Sequence, residues 1–140
     1  MVNKERVQAL VDALRSGEFP QTTGKLRDET GYCCLGVACE VYRRDLNKGE
    51  WDGAAFNIGE IKHTDQYSDN VAEGVLSKMV QEYFGFKSTH PLIKYSGKPI
   101  VEFRGRSKIG LAELNDIARL NFNQIADIIE ENFLKEVASV

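Results

Sequence analysis

The chain has 140 residues, 42% of them hydrophobic and 28% charged, which suits one folded domain and is too apolar for a disordered polymer. A net charge of −3 argues against a basic, phosphate-tracking face, so nucleic acid is not an expected partner. No apolar run approaches the roughly 20 residues of a membrane span and no signal peptide precedes the first amphipathic pattern, so the expectation is a cytoplasmic protein with no membrane partner.

From Asn3 onward, Val7, Leu10, Val11 and Leu14 recur at helical spacing, with Asn3 placed to cap and Gly17 to terminate. The spacing predicts a helix over residues 4–16. Residues 18–24 carry proline, glycine and hydroxyl side chains without a period and read as a loop. Residues 25–28 and 32–34 flank Glu29-Thr30-Gly31 and predict a β-hairpin that runs directly into a helix over residues 35–46. Asn47-Lys48-Gly49 closes that helix.

Residues 50–69 scatter Trp51, Phe56, Ile58 and Ile61 among polar residues, which predicts a long excursion with one short strand, a candidate lid. A helix is expected over residues 71–84, broken near Ser77 and stopped by Gly85. Residues 91–95 and 100–103 around Ser96-Gly97-Lys98-Pro99 predict a second hairpin. Leu111, Leu114, Ile117 and Ala118 predict a short helix, interrupted before Asn121, and Asn115-Asp116 would bracket a turn and cap. Asn121 and Gln124 then form the capping-box pattern of a last helix over residues 122–136. The expected fold class is α+β, a single compact domain over residues 1–140 with about four main helices and one or two small antiparallel β-hairpins.

Three cysteines, Cys33, Cys34 and Cys39, fall within one short stretch. They lack the second ligand pair of a structural zinc site, so no metal is assigned, and packed reduced thiols are the expected reading. The alternative is a thiolate at the start of the second helix, with His63 or His90 as base, in a small hydrolase or transferase. The residues around Asp65 and Asp69 lack the spacing of a calcium loop, and no phosphate-binding glycine loop or serine nucleophile elbow is present.

An anion site has better material. Lys25 and Arg27 alternate with Leu26 on the predicted strand, so both cations leave one face while Leu26 enters the core. Thr22, Thr23 and the exposed amides at the start of the second helix lie close in sequence. Arg104 and Arg106 form a second basic cluster suited to phosphate, and Tyr32, Trp51, Tyr67 and Tyr95 are aromatic rings in strand or loop contexts.

At Leu26-Arg27, and again at Gly31-Tyr32-Cys33-Cys34-Leu35-Gly36-Val37-Ala38-Cys39-Glu40-Val41-Tyr42, the sequence resembles a family of small proteins from bacteriophages and bacteria that share an LR…GYCCLGVxC motif. The resemblance extends back to residues 14–21 and resumes at residues 111–116 and 122–130. A phage origin implies an accessory factor, and some such factors sequester nucleotide-derived immune signals of the host. The resemblance therefore implies a non-catalytic protein, acting in the host cytoplasm without a cofactor, that holds a small anionic nucleotide-like ligand. Lys25, Arg27, Arg104 and Arg106 would neutralise its phosphates beside Thr22 and Thr23, while Tyr32 or Trp51 stacks on its base. A homo-oligomer would enclose such a ligand at an interface between copies. The other alternative is a protein-interaction module that blocks a host factor.

Overall fold

The computed structural model describes residues 2–58, 71–72, 76–94 and 108–134. Helix α1 (Lys4–Arg15) begins as its sequence dictates: Asn3 Oδ1 accepts the Arg6 N–H at 3.1 Å, and Val7, Leu10, Val11 and Leu14 are buried on one face. Gly17 takes φ +76 and turns the chain away.

The first hairpin is shorter than the sequence suggests. Strand β1 (Arg27–Asp28) pairs antiparallel with β2 (Gly31–Tyr32), in the register Arg27↔Tyr32 and Asp28↔Gly31. The reason is Asp28, whose Oδ1 accepts the N–H groups of Thr30 at 2.8 Å and Gly31 at 3.2 Å. That side-chain-closed turn leaves only Glu29 and Thr30 between the strands and draws Gly31 into the ladder. Lys25 stays in the bend ahead of β1, and Cys33 caps the next helix instead of extending β2.

Helix α2 (Cys34–Leu46) ends at Asn47 in the left-handed conformation, φ 52. The excursion after it holds more order than one strand: β3 (Glu50–Asp52), β4 (Ala55–Asn57) and β5 (Val71–Ala72) make an antiparallel sheet in the order β3-β4-β5. Residues 71–72 are thus strand, correcting the expectation of a helix from residue 71. Helix α3 (Lys78–Phe84) starts at Ser77, whose Oγ accepts the Val80 N–H at 3.3 Å; the anticipated break is a helix start. Residues 59–70, the remainder of the expected lid, lie outside the described residues.

Strand β6 (Leu92–Lys94) pairs with β7 (Lys108–Gly110), Leu92 opposite Gly110 and Lys94 opposite Lys108. The partner found for β6 is therefore the lead-in to the fourth helix, a stretch that sequence reading had not assigned to a strand. The expected partner at residues 100–103 lies outside the described residues. Helices α4 (Leu111–Asp116) and α5 (Phe122–Ile129) follow. The capping box at Asn121 and Gln124 is present in both directions, at 2.8 and 2.9 Å, and a π-helical turn (Glu130–Leu134) continues α5.

One buried core joins these elements into an α+β fold. Helix α1 lies along α5 and α2, and Arg15 bridges to Asp127 on α5 and to Glu130 just after it. Nine aromatic rings form an unbroken chain of contacts through the core: Phe19, Tyr32, Trp51, Phe56, Tyr42, Tyr83, Phe84, Phe86 and Phe133, with centroids 4.8 to 6.2 Å apart.

Helix α2 comes very close to the backbone just ahead of β1. A methyl group on Gly36 would overlap the carbonyl oxygen of Leu26, so the helix sits directly on the hairpin backbone. Intrinsic propensity favours alanine over glycine inside a helix by about 1 kcal/mol. Overpacking costs about 1–3 kcal/mol or more, and here the obstacle is backbone, which cannot rotate aside. Gly36→Ala should therefore lower the midpoint of urea unfolding; an increase would show that propensity outweighs this contact.

Candidate functional site

The predicted anion-binding residues divide into two groups. Arg104 and Arg106 lie outside the described residues, as do His63, Tyr67 and Tyr95. Thr22, Thr23, Lys25, Arg27, Tyr32 and Trp51 are described, and they divide again by what their side chains already do.

Tyr32 is fixed by its backbone on two sides. Across β1 it faces Arg27, and on its other edge it makes a parallel bridge to Gln21, with Thr22 N–H donating to Tyr32 O at 2.7 Å and Tyr32 N–H donating to Pro20 O at 2.8 Å. A side chain on Gly31 would collide with the Pro20 backbone, which is why glycine stands beside the tyrosine. The ring meets Phe19 edge-on at 5.2 Å and Trp51 at 5.9 Å. Trp51 arrives from β3, where it packs on Phe56 at 5.0 Å. Above this pair lies the Arg27 guanidinium, 5.8 Å from the Tyr32 centroid and 5.3 Å from that of Trp51.

Arg27 makes no ion pair among the described residues. Its strand neighbour Asp28 is committed elsewhere: besides the two amides, Thr30 Oγ1 lies 2.6 Å from Oδ1 and Thr22 Oγ1 donates to Oδ2 at 2.9 Å. The hydrogen bonds from the Thr30 hydroxyl and amide hold the Asp28 carboxyl well below the usual range, at about 2. Thr22 is thereby occupied by the turn. Thr23 and Lys25 are exposed.

The start of α2 is not the open row of amides that the sequence suggested. Cys33 to Glu40 are buried, and the Cys34 N–H donates to Asn115 Oδ1 at 3.2 Å. Asn115 is fully buried on α4. It also accepts from Gln21 Nε2 at 2.9 Å and donates to Thr22 O and Asp116 Oδ1, each at 2.8 Å. One amide thus ties the 21–22 loop to the first turn of α2. Sequence reading gave Asn115 only a local capping role, and its partners at Gln21, Thr22 and Cys34 lie far away along the chain, so no local pattern signals them.

Glu40 is the other residue that sequence reading passed over. It is 3% exposed on α2 and accepts from Trp51 Nε1 at 2.9 Å, from Arg43 Nη2 at 3.1 Å and from Arg44 Nε at 3.0 Å. Burial works to raise its pKa, but the hydrogen bonds from Arg43 and Trp51 and the charges of Arg43 and Arg44 prevail and lower it. The arginines three and four positions on were the legible signal.

The thiols are packed. Cys33, Cys34 and Cys39 are 3%, 1% and 0% exposed, and Cys34 Sγ donates to Leu111 O at 3.4 Å. Burial pushes Cys33 up to about 11 and raises Cys34 and Cys39 well above the ordinary range. Among the described residues no group of three metal-ligating side chains comes together, and no helix is long and apolar enough to cross a membrane.

A family model described as Domain of unknown function (DUF8296) matches residues 2–133, and the chain belongs to that family. No curated protein and no solved structure matches the chain.

Two outcomes test this account. Iodoacetamide at pH 8 should leave all three thiols of the native protein unmodified over a period that fully labels the urea-unfolded chain; rapid native labelling of one thiol would identify an accessible thiolate. For Asp28, a folded pKa lowered to about 2 from an ordinary 3.8 means that the unfolded chain binds more protons between those values. Its stabilisation is complete above the ordinary value and is lost as pH falls through the folded one. Wild-type melting temperature should therefore drop more steeply than that of Asp28→Asn between pH 4 and pH 2, and parallel curves would contradict the assignment.

Proposed function

We propose that the protein is a non-catalytic binding factor for a small anionic ligand with a planar ring, of the nucleotide class. The observation that carries this reading is Arg27, a guanidinium without an ion-pair partner among the described residues that lies over two aromatic rings held by the fold. A phosphate would supply the missing counter-charge through charge-assisted hydrogen bonds. The Tyr32 and Trp51 rings would supply stacking surface beside it. Lys25, in the exposed bend before β1, is close enough in sequence to add a second cation.

The buried, protonated thiols favour binding over cysteine chemistry, because the nucleophile in such enzymes is the thiolate. The resemblance to phage accessory proteins points to a host signalling nucleotide as the ligand and to sequestration as the purpose. Arg104 and Arg106 remain proposed contributors of further phosphate contacts.

Trp51 is the sole tryptophan, so its fluorescence reports directly on the site. Titration with a panel of linear and cyclic nucleotides should give saturable quenching by at least one of them, and heat denaturation of the complex should release that nucleotide chemically intact. Arg27→Ala should weaken binding by about tenfold or more, the effect of losing one hydrogen bond to a charged group, with little change in melting temperature. Absence of saturable binding across the panel, or unchanged affinity in Arg27→Ala, would overturn the assignment. Conversion of the nucleotide would establish an enzyme instead.

A further inference from the structure

Trp51 is oriented from beneath. Its Nε1–H donates to Glu40, and an indole has no other hydrogen-bonding group. With that donor committed, the ring can offer a ligand only apolar and π surface. Glu40 also belongs to a closed circuit of contacts. Arg44 Nε donates to it at 3.0 Å, the Arg44 guanidinium lies 5.1 Å from the Phe19 ring, Phe19 meets Tyr32 at 5.2 Å, and Tyr32 meets Trp51 at 5.9 Å. Arg44 is further held by Glu18 at 2.6 Å.

We propose that Glu40 is the positioning residue of the aromatic platform, fixing the Trp51 ring against Tyr32 and under Arg27, so that the site recognises a planar ligand by stacking without a hydrogen bond from the indole. This inference rests on the reading of Arg27, Tyr32 and Trp51 as the binding surface. A buried carboxylate is expensive to desolvate and is not the simplest way to fill space inside a helix face. Arg43 and Arg44 are each more than a third exposed and could be solvated without it. The uncharged partner whose direction depends on Glu40 is Trp51.

The test uses the full chain and a probe that needs no identified ligand. Iodide is an anion drawn to Arg27, whereas acrylamide is neutral, so the ratio of their quenching constants for Trp51 reads the cation above the ring. Solvent exchange of the single indole Nε1–H, followed by NMR, reads the bond to Glu40. In Glu40→Leu, indole exchange should accelerate by about tenfold or more, the factor for one hydrogen bond to a charged acceptor. Glu40→Gln keeps an acceptor of the same size and should fold even if Glu40→Leu does not. In it the indole proton resonance should move upfield as a charged acceptor becomes neutral.

A lowered melting temperature with unchanged exchange and resonance position would mean that Glu40 only stabilises the fold, and would overturn the proposal. Arg27→Ala separates the two readings. It should lower the quenching ratio while leaving the indole proton protected. An unchanged ratio there would remove Arg27 from the site, and the indole measurements would still decide the role of Glu40.

Discussion

The structure depends on burying the first turn of α2 against the hairpin that precedes it. Helix starts expose amides that ordinarily need water or a capping side chain. Here Cys33 to Cys39 are buried, Cys33 offers no side-chain cap, and the Cys34 amide is satisfied by Asn115 from α4. Close approach requires the absence of a side chain at Gly36, where the Leu26 carbonyl sits, and small thiols flank it. The motif around the three cysteines is therefore a packing solution: glycines where backbone meets backbone, and compact apolar side chains where a larger residue would force the helix away.

Several features follow from that contact. A two-residue-per-strand hairpin is not stable alone. It persists because Leu26 is fully buried under α2, the Leu26 carbonyl accepts the Cys33 N–H at 3.0 Å, and residues 20–22 bond to the other edge of Tyr32. Once the hairpin is fixed, Tyr32 becomes the meeting point of Phe19 and Trp51, and the chain of rings runs on through Phe56 and Tyr42 to α3 and the π-helical turn after α5. The outer end of the core and the candidate binding surface are the same aromatic cluster, so the rings of the site are placed by core packing.

What the sequence disclosed was local. Caps at Asn3 and Asn121, helix ends at Gly17, Asn47 and Gly85, and the apolar stripe of α1 each depend on residues within a few positions. Misread features depended on distant partners. Val71 and Ala72 continue an apolar pattern into α3, yet pairing with Phe56 and Asn57 makes them strand. The β6 partner at Lys108–Gly110 was not anticipated as a strand because its pairing is set by residues 92–94. In the candidate site, the alternation that buries Leu26 fully and leaves Arg27 half-buried was legible. The committed states of Thr22 and Asp28, the hub at Asn115 and the link from Glu40 to Trp51 were not, since each is a contact between side chains of separate segments or of a turn whose length had been misjudged.

That turn length bears on the chemistry of the site. An arginine beside an aspartate on an exposed hairpin would ordinarily be read as a neutralised surface pair worth little. Closing the turn with its own carboxylate changes the outcome: Asp28 satisfies Thr30, Gly31 and Thr22, and its charge is stabilised within the loop. Glu40 on α2 and Glu18 in the loop before the hairpin are engaged by Arg43, Arg44 and Trp51. Arg27 is left over the rings with its charge uncompensated by these groups. The electrostatic sign of the platform thus follows from hydrogen bonds that close a two-residue turn, and not from any excess of basic residues in an acidic chain.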